Sequence, residues 1–307
     1  MKMKAAVHTT YGPPKVVKVQ EVEKPQPKPN EVLVKIEAAT VTSGDIRLRG
    51  SDFPPLFWLP ARLIFGLFRP KKQILGHELS GTIEAVGDKV TRFKVGDAVL
   101  GTTTMRPTGS HAQYLCLPET WKQGVLLHKP KTLSFKAAAA LPVGGMTALY
   151  LLKKGGIKQG MNVLVHGASG SVGSYALQLA KAYGATVTTV SSAGNFEMLK
   201  SLGANTLIDY KKEDYTTCGQ TFDIIFDAVG KTTKSKAKNV LAASGSFVSI
   251  KSITAEKSEQ LQEVVDLTIA GKVTPFIDRE FSLDEIVQAH EYVETGRKRG
   301  NIIINPT

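Results

Sequence analysis

The chain of 307 residues is longer than a single domain ordinarily runs and can bury a large core, so two domains are expected. Hydrophobic residues at 42% and charged residues at 21% are those of a globular protein, and no apolar run is long enough for a membrane-spanning helix. A net charge of +12 admits an anionic partner, but the lysines are spread out and no basic run is interleaved with aromatics, which argues for a solvated surface and against nucleic acid.

From Met1 to His8 the chain enters an alternating strand pattern without the apolar stretch of a signal peptide. Cys116 and Cys218 are far apart, with neither metal nor redox spacing, so a reducing, cytoplasmic setting is expected and neither thiol is a strong nucleophile candidate. Short β-rich pieces follow: Ala5 to His8, Val16 to Val22, Glu31 to Val41, Leu79 to Val90, Asp97 to Leu100 and His111 to Leu117. Turn residues at Pro25 to Pro29, Gly87-Asp88 and Gly96-Asp97 separate them, the spacing of an antiparallel barrel or sandwich. Phe53 to Pro70 is rich in Phe, Leu and Pro and broken by Arg62 and Arg69, which suits a pocket cover, an oligomer contact or a membrane-surface segment.

After Ser134 the pattern changes. Ala137 to Leu141 favours helix, Pro142 suits a helix start, and a βαβ rhythm begins. Parallel strands are expected at Asn162 to His166, Ala185 to Val190, Thr206 to Asp209, Phe222 to Asp227 and Ser246 to Ile250. Between the first two, Val172, Ala176, Leu179, Ala180 and Tyr183 share one face of a helix packed on a sheet. Near the end, Ser282 and Glu285 form a capping box, Gly296 follows as a helix stop, and Asn301 to Ile304 reads as a last strand.

The strongest chemical signal is the turn Gly167-Ala168-Ser169-Gly170-Ser171-Val172-Gly173 between that first strand and its helix. Ala168, Gly170 and Gly173 occupy the three positions of the dinucleotide fingerprint G-x-G-x-x-G. Gly170 lets the backbone approach a pyrophosphate, Gly173 lets helix and strand pack closely, and the helix N-terminus receives the negative charge. At the end of the second strand, where an NAD enzyme carries an acid, stand Ser191 and Ser192, with no carboxylate before Glu197. That favours NADPH over NADH.

Several further stretches complete a pattern: Thr42-Ser43-Gly44-Asp45, Gly76-His77-Glu78, Val95-Gly96-Asp97-Ala98-Val99, Gly145-Met146-Thr147-Ala148, Leu202-Gly203-Ala204, Asp227-Ala228-Val229-Gly230 and Arg299-Gly300-Asn301. With the Ala168 to Gly173 turn, this resembles the medium-chain dehydrogenase/reductase superfamily over nearly the whole chain. The resemblance implies an α/β fold, a doubly wound parallel Rossmann sheet plus a GroES-like β-barrel catalytic domain. The expected order is a catalytic part over 1–125, a nucleotide-binding domain over 126–255, and a return to the catalytic domain over 256–307.

Zinc members of this superfamily hold catalytic zinc with two cysteines and the histidine of Gly-His-Glu. Here Ser43 stands at the first cysteine, Val143 lies near the second, and only His77 with Glu78 is left. Neither a hydroxyl nor an aliphatic group replaces a thiolate. No metal is expected, His77 becomes a packing or hydrogen-bonding residue, and the chain resembles the zinc-free, zeta-crystallin-like quinone oxidoreductases. That branch implies Thr147 as nicotinamide contact, Tyr210 near the adenosine 2′-phosphate, Asn301 near the cofactor, and Asp227, Ala228, Val229 and Gly230 beside the ribose. The phosphate-binding lysine common at the position of Asn195 is missing, and the chain is short between Ile250 and Leu261.

The implied activity is hydride transfer from NADPH to a quinone or an α,β-unsaturated carbonyl, with Thr42, Ser43 and Thr147 as hydroxyls for the developing oxyanion and Asp45 either beside them or a turn residue. A small-molecule quinone or enone is then the partner, in a monomer or homodimer. Two other readings stand beside it: an alcohol or aldehyde reductase of the same superfamily, and a low-turnover NADPH-binding sensor.

Overall fold

The structure, a computed structural model, describes residues 1–306. In chain order it comprises β1 (Lys2–Val7), β2 (Lys18–Glu23), β3 (Glu31–Thr40), α1 (Ser43–Gly50), α2 (Pro55–Phe65), β4 (Glu78–Val86), β5 (Ala98–Thr102), β6 (Tyr114–Pro118), β7 (Leu126–His128), α3 (Phe135–Ala140), α4 (Pro142–Lys154), β8 (Asn162–His166), α5 (Ser171–Ala182), β9 (Thr186–Ser191), α6 (Phe196–Ser201), β10 (Thr206–Asp209), β11 (Phe222–Asp227), β12 (Leu241–Ser249), α7 (Ser258–Ile269), β13 (Ile277–Ser282), α8 (Ile286–Glu294) and β14 (Asn301–Asn305). No helix among the described residues is long and apolar enough to cross a membrane.

Two compact units form, one from Met1–Pro142 with the chain from Ile277 onward, the other from Val143–Phe276. Both seams lie later than the sequence places them. At the first, β7 pairs with β5 (Leu127 opposite Leu100), and α3 buries Ala139 and Ala140 against Ala38 of β3 and Ile303 of β14, which keeps 126–142 in the first unit. At the second, the buried amide of Gln178 on α5 donates to Thr274 O (3.0 Å) and accepts from Thr274 N (2.7 Å). Gly145 of α4 lies against Val264 of α7, where an added Cβ would come within 2.7 Å of Cγ1. These contacts hold 256–276 in the second unit.

The first unit is built around β3. It pairs antiparallel with β4 (Val34 opposite Ile83), β6 (Val34 opposite Leu115) and β14 (Thr40 opposite Ile303), so its apolar run Val-Leu-Val-Lys-Ile is covered on both faces and almost entirely buried. The seven-stranded sheet runs β13-β14-β3-β4-β5-β7 with β6 on β3, and β1 and β2 form a separate hairpin. The strand expected at Val16 begins at Lys18, because Pro13-Pro14 opens a 3-10 turn there; the strand expected to reach Val90 stops at Val86, where Gly87 begins a turn closed by Val90. Within 53–70, Pro55 starts α2 and Gly66 ends it, its N–H returning to Arg62 O (2.8 Å).

The second unit has five parallel strands in the order β10-β9-β8-β11-β12, the doubly wound arrangement, with a crossover reversal between β8 and β11. The bounds of β8, β10 and β11 are those expected. α5 is buried more widely than one amphipathic face would require: every residue from Gly173 to Ala180 is inside, with Tyr175 and Leu177 as inaccessible as Leu179. The helix is hemmed in by the sheet and by α4, whose Gly144 lies against Tyr175.

In the first unit, α1 and α8 are joined through a buried cation. Arg49, 1% exposed, donates to Gly12 O (3.0 Å), to His290 Nδ1 (3.0 Å) and to Glu294. His111 meets His290 edge to face at 5.7 Å and donates its Nε2–H to Thr40 O (2.9 Å); His8 donates Nδ1–H to Gln73 O (2.8 Å). His8 Nε2, His111 Nδ1 and His290 Nε2 are buried without a hydrogen-bond partner among the described residues. Burial is the largest cause holding all three imidazoles below their ordinary value, and for His290 the neighbouring His111, Arg49 and His8 add to it against Asp45.

The unfolded chain therefore takes up protons near pH ~6.5 that the folded chain refuses, so stability is complete above that pH and falls as pH drops, by at most about 1.4 kcal/mol per pH unit for each histidine. Thermal unfolding followed from about pH 8 to about pH 5 should show a falling midpoint below about pH 6.5. His290→Asn, which keeps an acceptor for Arg49 but takes no proton, should flatten the slope. A midpoint constant over that range would show that these rings are not held neutral.

Candidate functional site

In the second unit, β8 ends at His166 and the chain turns through Gly167 in the left-handed region (φ 79°) to start α5. Gly167 N–H donates to Val190 O (2.9 Å), tying the turn to the end of β9. At Gly173 an added Cβ would lie 2.3 Å from Gly167 O and 2.7 Å from Ala168 Cα, so helix and turn approach as only glycine permits. At Gly170 the nearest atom to such a Cβ is 3.9 Å away, leaving the outer side of the turn open. Gly170 is the N-cap of the twelve-residue α5 and no side chain caps it. First-turn amides that face an open concavity fit a pyrophosphate.

Strand register gathers the other expected contacts at the same end of the sheet. Val190 lies beside His166, Ser191 beside Asp209, and His166 beside Asp227. Ala168 is fully buried, whereas Ser169, Ser171 and Val172 are half-buried around the turn. Ser191 is inside and donates its hydroxyl to Ser192 O (3.1 Å); Ser192 is half-buried and its Oγ accepts from Asn195 (3.1 Å). Val229, at the surface, packs on Gly167, where a Cβ would fall 2.4 Å from its Cγ1. Gly230 takes φ 70° in the same turn.

Asp227 is fully buried, and its position in the fold differs from a direct cofactor contact. Its Oδ1 accepts from the N–H groups of Val229 (3.4 Å), Gly230 (3.0 Å) and Lys231 (3.3 Å), and its Oδ2 accepts from Ser249 (2.9 Å). Burial works to raise its carboxyl, but His166, Ser249 and the Val229 amide outweigh it and hold it below the usual range. This carboxylate shapes the 228–231 turn. Thr147 is half-buried one turn after Gly144, whose added Cβ would meet Ser171 Oγ at 2.4 Å, so α4 carries Thr147 beside the phosphate turn.

A cleft of about 280 Å³ opens beside Tyr210, lined by His166, Lys211, Lys212, Glu213, Asp214, Tyr215 and Lys236. Tyr210 is 59% exposed, and its N–H donates to Ser191 O (3.2 Å). Lys236 is 3.7 Å from Asp214. Lys211, Lys212, Lys236 and His166 were not singled out from sequence. The adjacency of Lys211 and Lys212 to Tyr210 was a readable signal; the approach of Lys236 exists only in the folded chain.

In the first unit, Asp45 has no solvent exposure. Its Oδ2 accepts from Thr42 N (2.8 Å) and Thr42 Oγ1 (2.7 Å), and its Oδ1 accepts from Gly76 N (2.7 Å) and His77 Nδ1 (2.8 Å). Burial pushes this carboxyl up, yet His77 foremost, with His111 and the Thr42 hydroxyl, holds it well below the usual carboxylate range. Two expectations change. Thr42 spends its hydroxyl proton in the capping box of α1 and has none for a substrate oxygen. Asp45 is inaccessible to substrate and acts as the turn residue. Ser43, next in the chain, is exposed. Asn301 is buried on β14, whose neighbour Ile302 accepts from Val41 N (3.1 Å), and so lies near the start of α1.

The same geometry bears on zinc. His77 turns its Nδ1 to Asp45, and Gly44 lies against its ring, where an added Cβ would be 3.5 Å from Cε1; the residue before Gly44 is Ser43, a hydroxyl rather than a thiolate. Among the described residues no group of three or more His, Cys, Asp or Glu could hold a metal ion. Cys116, on β6, has its thiol pushed up to about 12 by burial and the charge of Glu31. This donor set does not fit a catalytic zinc.

Residues 28–131 match the alcohol dehydrogenase GroES-like domain, and residues 171–274 and 251–304 match models described as zinc-binding dehydrogenase. The chain is 35% identical to the 2-methylene-furan-3-one reductase of Solanum lycopersicum, over 99% of this chain and 79% of that protein. It is 29% identical to the chloroplastic NADPH-dependent alkenal/one oxidoreductase of Arabidopsis thaliana, over 99% and 80%. Among solved structures, the quinone oxidoreductase of Coxiella burnetii superposes with a TM-score of 0.88 at 30% identity, with 100% of both chains covered. Identity of 35% across almost the whole chain is more than a shared fold: the protein belongs to the medium-chain dehydrogenase/reductase superfamily, in its quinone oxidoreductase-like branch, and is an oxidoreductase with a nicotinamide cofactor.

Proposed function

We propose that the protein is an NADPH-dependent reductase of quinones and α,β-unsaturated carbonyls that works without zinc. The observation that carries the reading is the His77–Asp45 pair: the one imidazole of the family's metal motif is already turned to a carboxylate, and the chain has Ser43 where the motif's first thiolate would stand. Without a Lewis acid to polarise a carbonyl, hydride transfer is easiest to a carbon already activated by conjugation, which quinones and enones offer and simple ketones do not.

The bound cofactor supplies the hydride. The chain's own residues bind and orient. The Gly170 to Gly173 turn and the first amides of α5 hold the pyrophosphate, Val229 and Gly230 form a wall of the same seat, and Tyr210 with Lys211 and Lys212 receives the adenosine 2′-phosphate. In the second unit Thr147 is the hydroxyl that α4 carries beside the phosphate turn, and it is the donor we assign to the developing oxyanion; in the first unit the exposed hydroxyl at the start of α1 is Ser43, not Thr42. The reduced product takes its proton from water or from the Thr147 hydroxyl. Two cysteines without a disulfide suit a reducing, cytoplasmic setting.

Purified protein assayed for metal should oxidise NADPH rapidly with a quinone and an enone, slowly with a simple ketone, and at an unchanged rate after chelator treatment. Loss of activity on chelation would place a metal in the reaction; tight NADPH binding with no turnover of any acceptor would favour a binding protein.

Two glycines separate fold from cofactor. Gly170→Ala has room, so its melting temperature should hold while the Kd for NADPH rises about tenfold, because the new methyl occupies the phosphate approach. Gly173→Ala should lose affinity and also about 1–3 kcal/mol of stability through overpacking. Equal melting losses in both would contradict the assignment. In the cleft, Lys211→Glu with Lys212→Glu should weaken NADPH about tenfold and NADH less, by titration of each cofactor. Equal weakening of the two would remove these lysines from 2′-phosphate recognition.

A further inference from the structure

We infer that α2 and the loop after it dock this protein, through the first unit, on a membrane surface bearing anionic lipid. The helix is turned inside out relative to an ordinary surface helix. Its inward positions are Ala61, Arg62 and Phe65, with Trp58, 43% exposed, at their margin. The Arg62 guanidinium lies over the Tyr11 ring at 3.9 Å and over Trp58 at 5.3 Å, and it donates to Leu67 O. Tyr11 in turn donates to Phe65 O (3.0 Å) and Gly66 O (2.7 Å), and Phe53 stacks on Phe65 at 5.9 Å. The helix is therefore held in place by its cationic side while the apolar side faces out.

That outward side carries Leu56 (83% exposed), Phe57 (61%), Leu59 (54%), Leu63 (58%), Ile64 (54%) and Phe68 (86%), and no residue of the helix is buried. Single exposed apolar residues are ordinary; a contiguous strip of this kind on a folded chain marks an interaction surface. At 11 residues the helix is too short to span a bilayer, and it suits lying in the plane of one.

Charge selects the occupant. From Phe53 to His77 there is no carboxylate, whereas Arg69 and Lys71 stand exposed in that stretch. In a two-fold dimer built on this strip the same cations would be brought against each other with no acid from the strip to neutralise them. Anionic headgroups neutralise them, while acyl chains receive the leucine and phenylalanine side chains and Trp58 lies at the level between. The surface is independent of the reductase reading, since it involves none of the residues assigned to cofactor or substrate.

The test is co-sedimentation of the full chain with vesicles of phosphatidylcholine alone and of phosphatidylcholine with phosphatidylserine, at low and high salt. The parent should bind the anionic vesicles, and about tenfold less to the neutral ones or in high salt. Leu63→Glu with Ile64→Glu, at exposed positions, should lower binding about tenfold or more with an unchanged melting temperature and unchanged NADPH affinity. In a Trp121→Phe background, Trp58 fluorescence should shift to the blue on binding. Equal binding of parent and variant, or none by the parent, would overturn the inference. So would a parent that sediments as a dimer without lipid, becomes a monomer in the double variant and ignores vesicles.

Discussion

Asp45 carries a charge into an interior where an isolated carboxylate would cost several kcal/mol, and it is kept there by hydrogen bonds from Thr42 N, Thr42 Oγ1, Gly76 N and His77 Nδ1. The local architecture follows from satisfying that one group. The start of α1 is fixed by its capping box, the chain before β4 is fastened at Gly76, and the His77 ring is held in one tautomer. Ser43 then has a defined place because the residues on either side of it do. Each side chain that serves the carboxylate is withdrawn from contact with substrate, which divides this short stretch into scaffold, Thr42 and Asp45, and accessible hydroxyl, Ser43.

The second unit is organised by backbone more than by side chains. Gly167 and Gly173 allow a strand, a turn and a helix to meet at distances that any Cβ would forbid, and the exposed product of that packing is a row of amides at a helix N-terminus. In the proposed reading, selectivity for one dinucleotide then falls to side chains at the next strand ends, where hydroxyls at 191 and 192 are partly taken up by their own loop and the lysines after Tyr210 face a cleft. On the proposed assignment, one unit supplies a phosphate seat and a separate adenosine edge, so affinity and cofactor choice can be altered independently.

The parts of this structure that were legible in the sequence are those governed by local rules. β8, β10 and β11 are short apolar runs bounded by turn residues, and their ends match; the glycine turn between β8 and the helix after it was also readable. The Ser282–Glu285 capping box was readable too, although it opens a 3-10 turn ahead of α8. What was not legible depends on residues distant in the chain. Asp45 was read as a turn residue or a site residue, and Gly76 and His77, which reach it only in the folded chain, decide between the two; Lys236 joins Tyr210 only through the fold. The seams shifted because β7 pairs with β5 and Gln178 with Thr274, partners that no local pattern announces. The segment 53–70 was singled out by composition, but α2 within it was not read as a helix: its apolar residues face outward, so a periodicity interpreted as a core face has nothing to find.

Asp227 has a consequence for the energetics of the nucleotide seat. One carboxylate fastens the end of β11 to the end of β12 through Ser249, closes the 228–231 turn through three amides, and stands 3.6 Å from His166 at the end of β8. Val229, set by that turn, packs directly against Gly167 of the phosphate turn. The two loops are thus braced against each other before any ligand arrives. A dinucleotide entering this preorganised seat has little backbone left to order, so its binding is opposed by less conformational entropy than that of a ligand that must assemble its own loops.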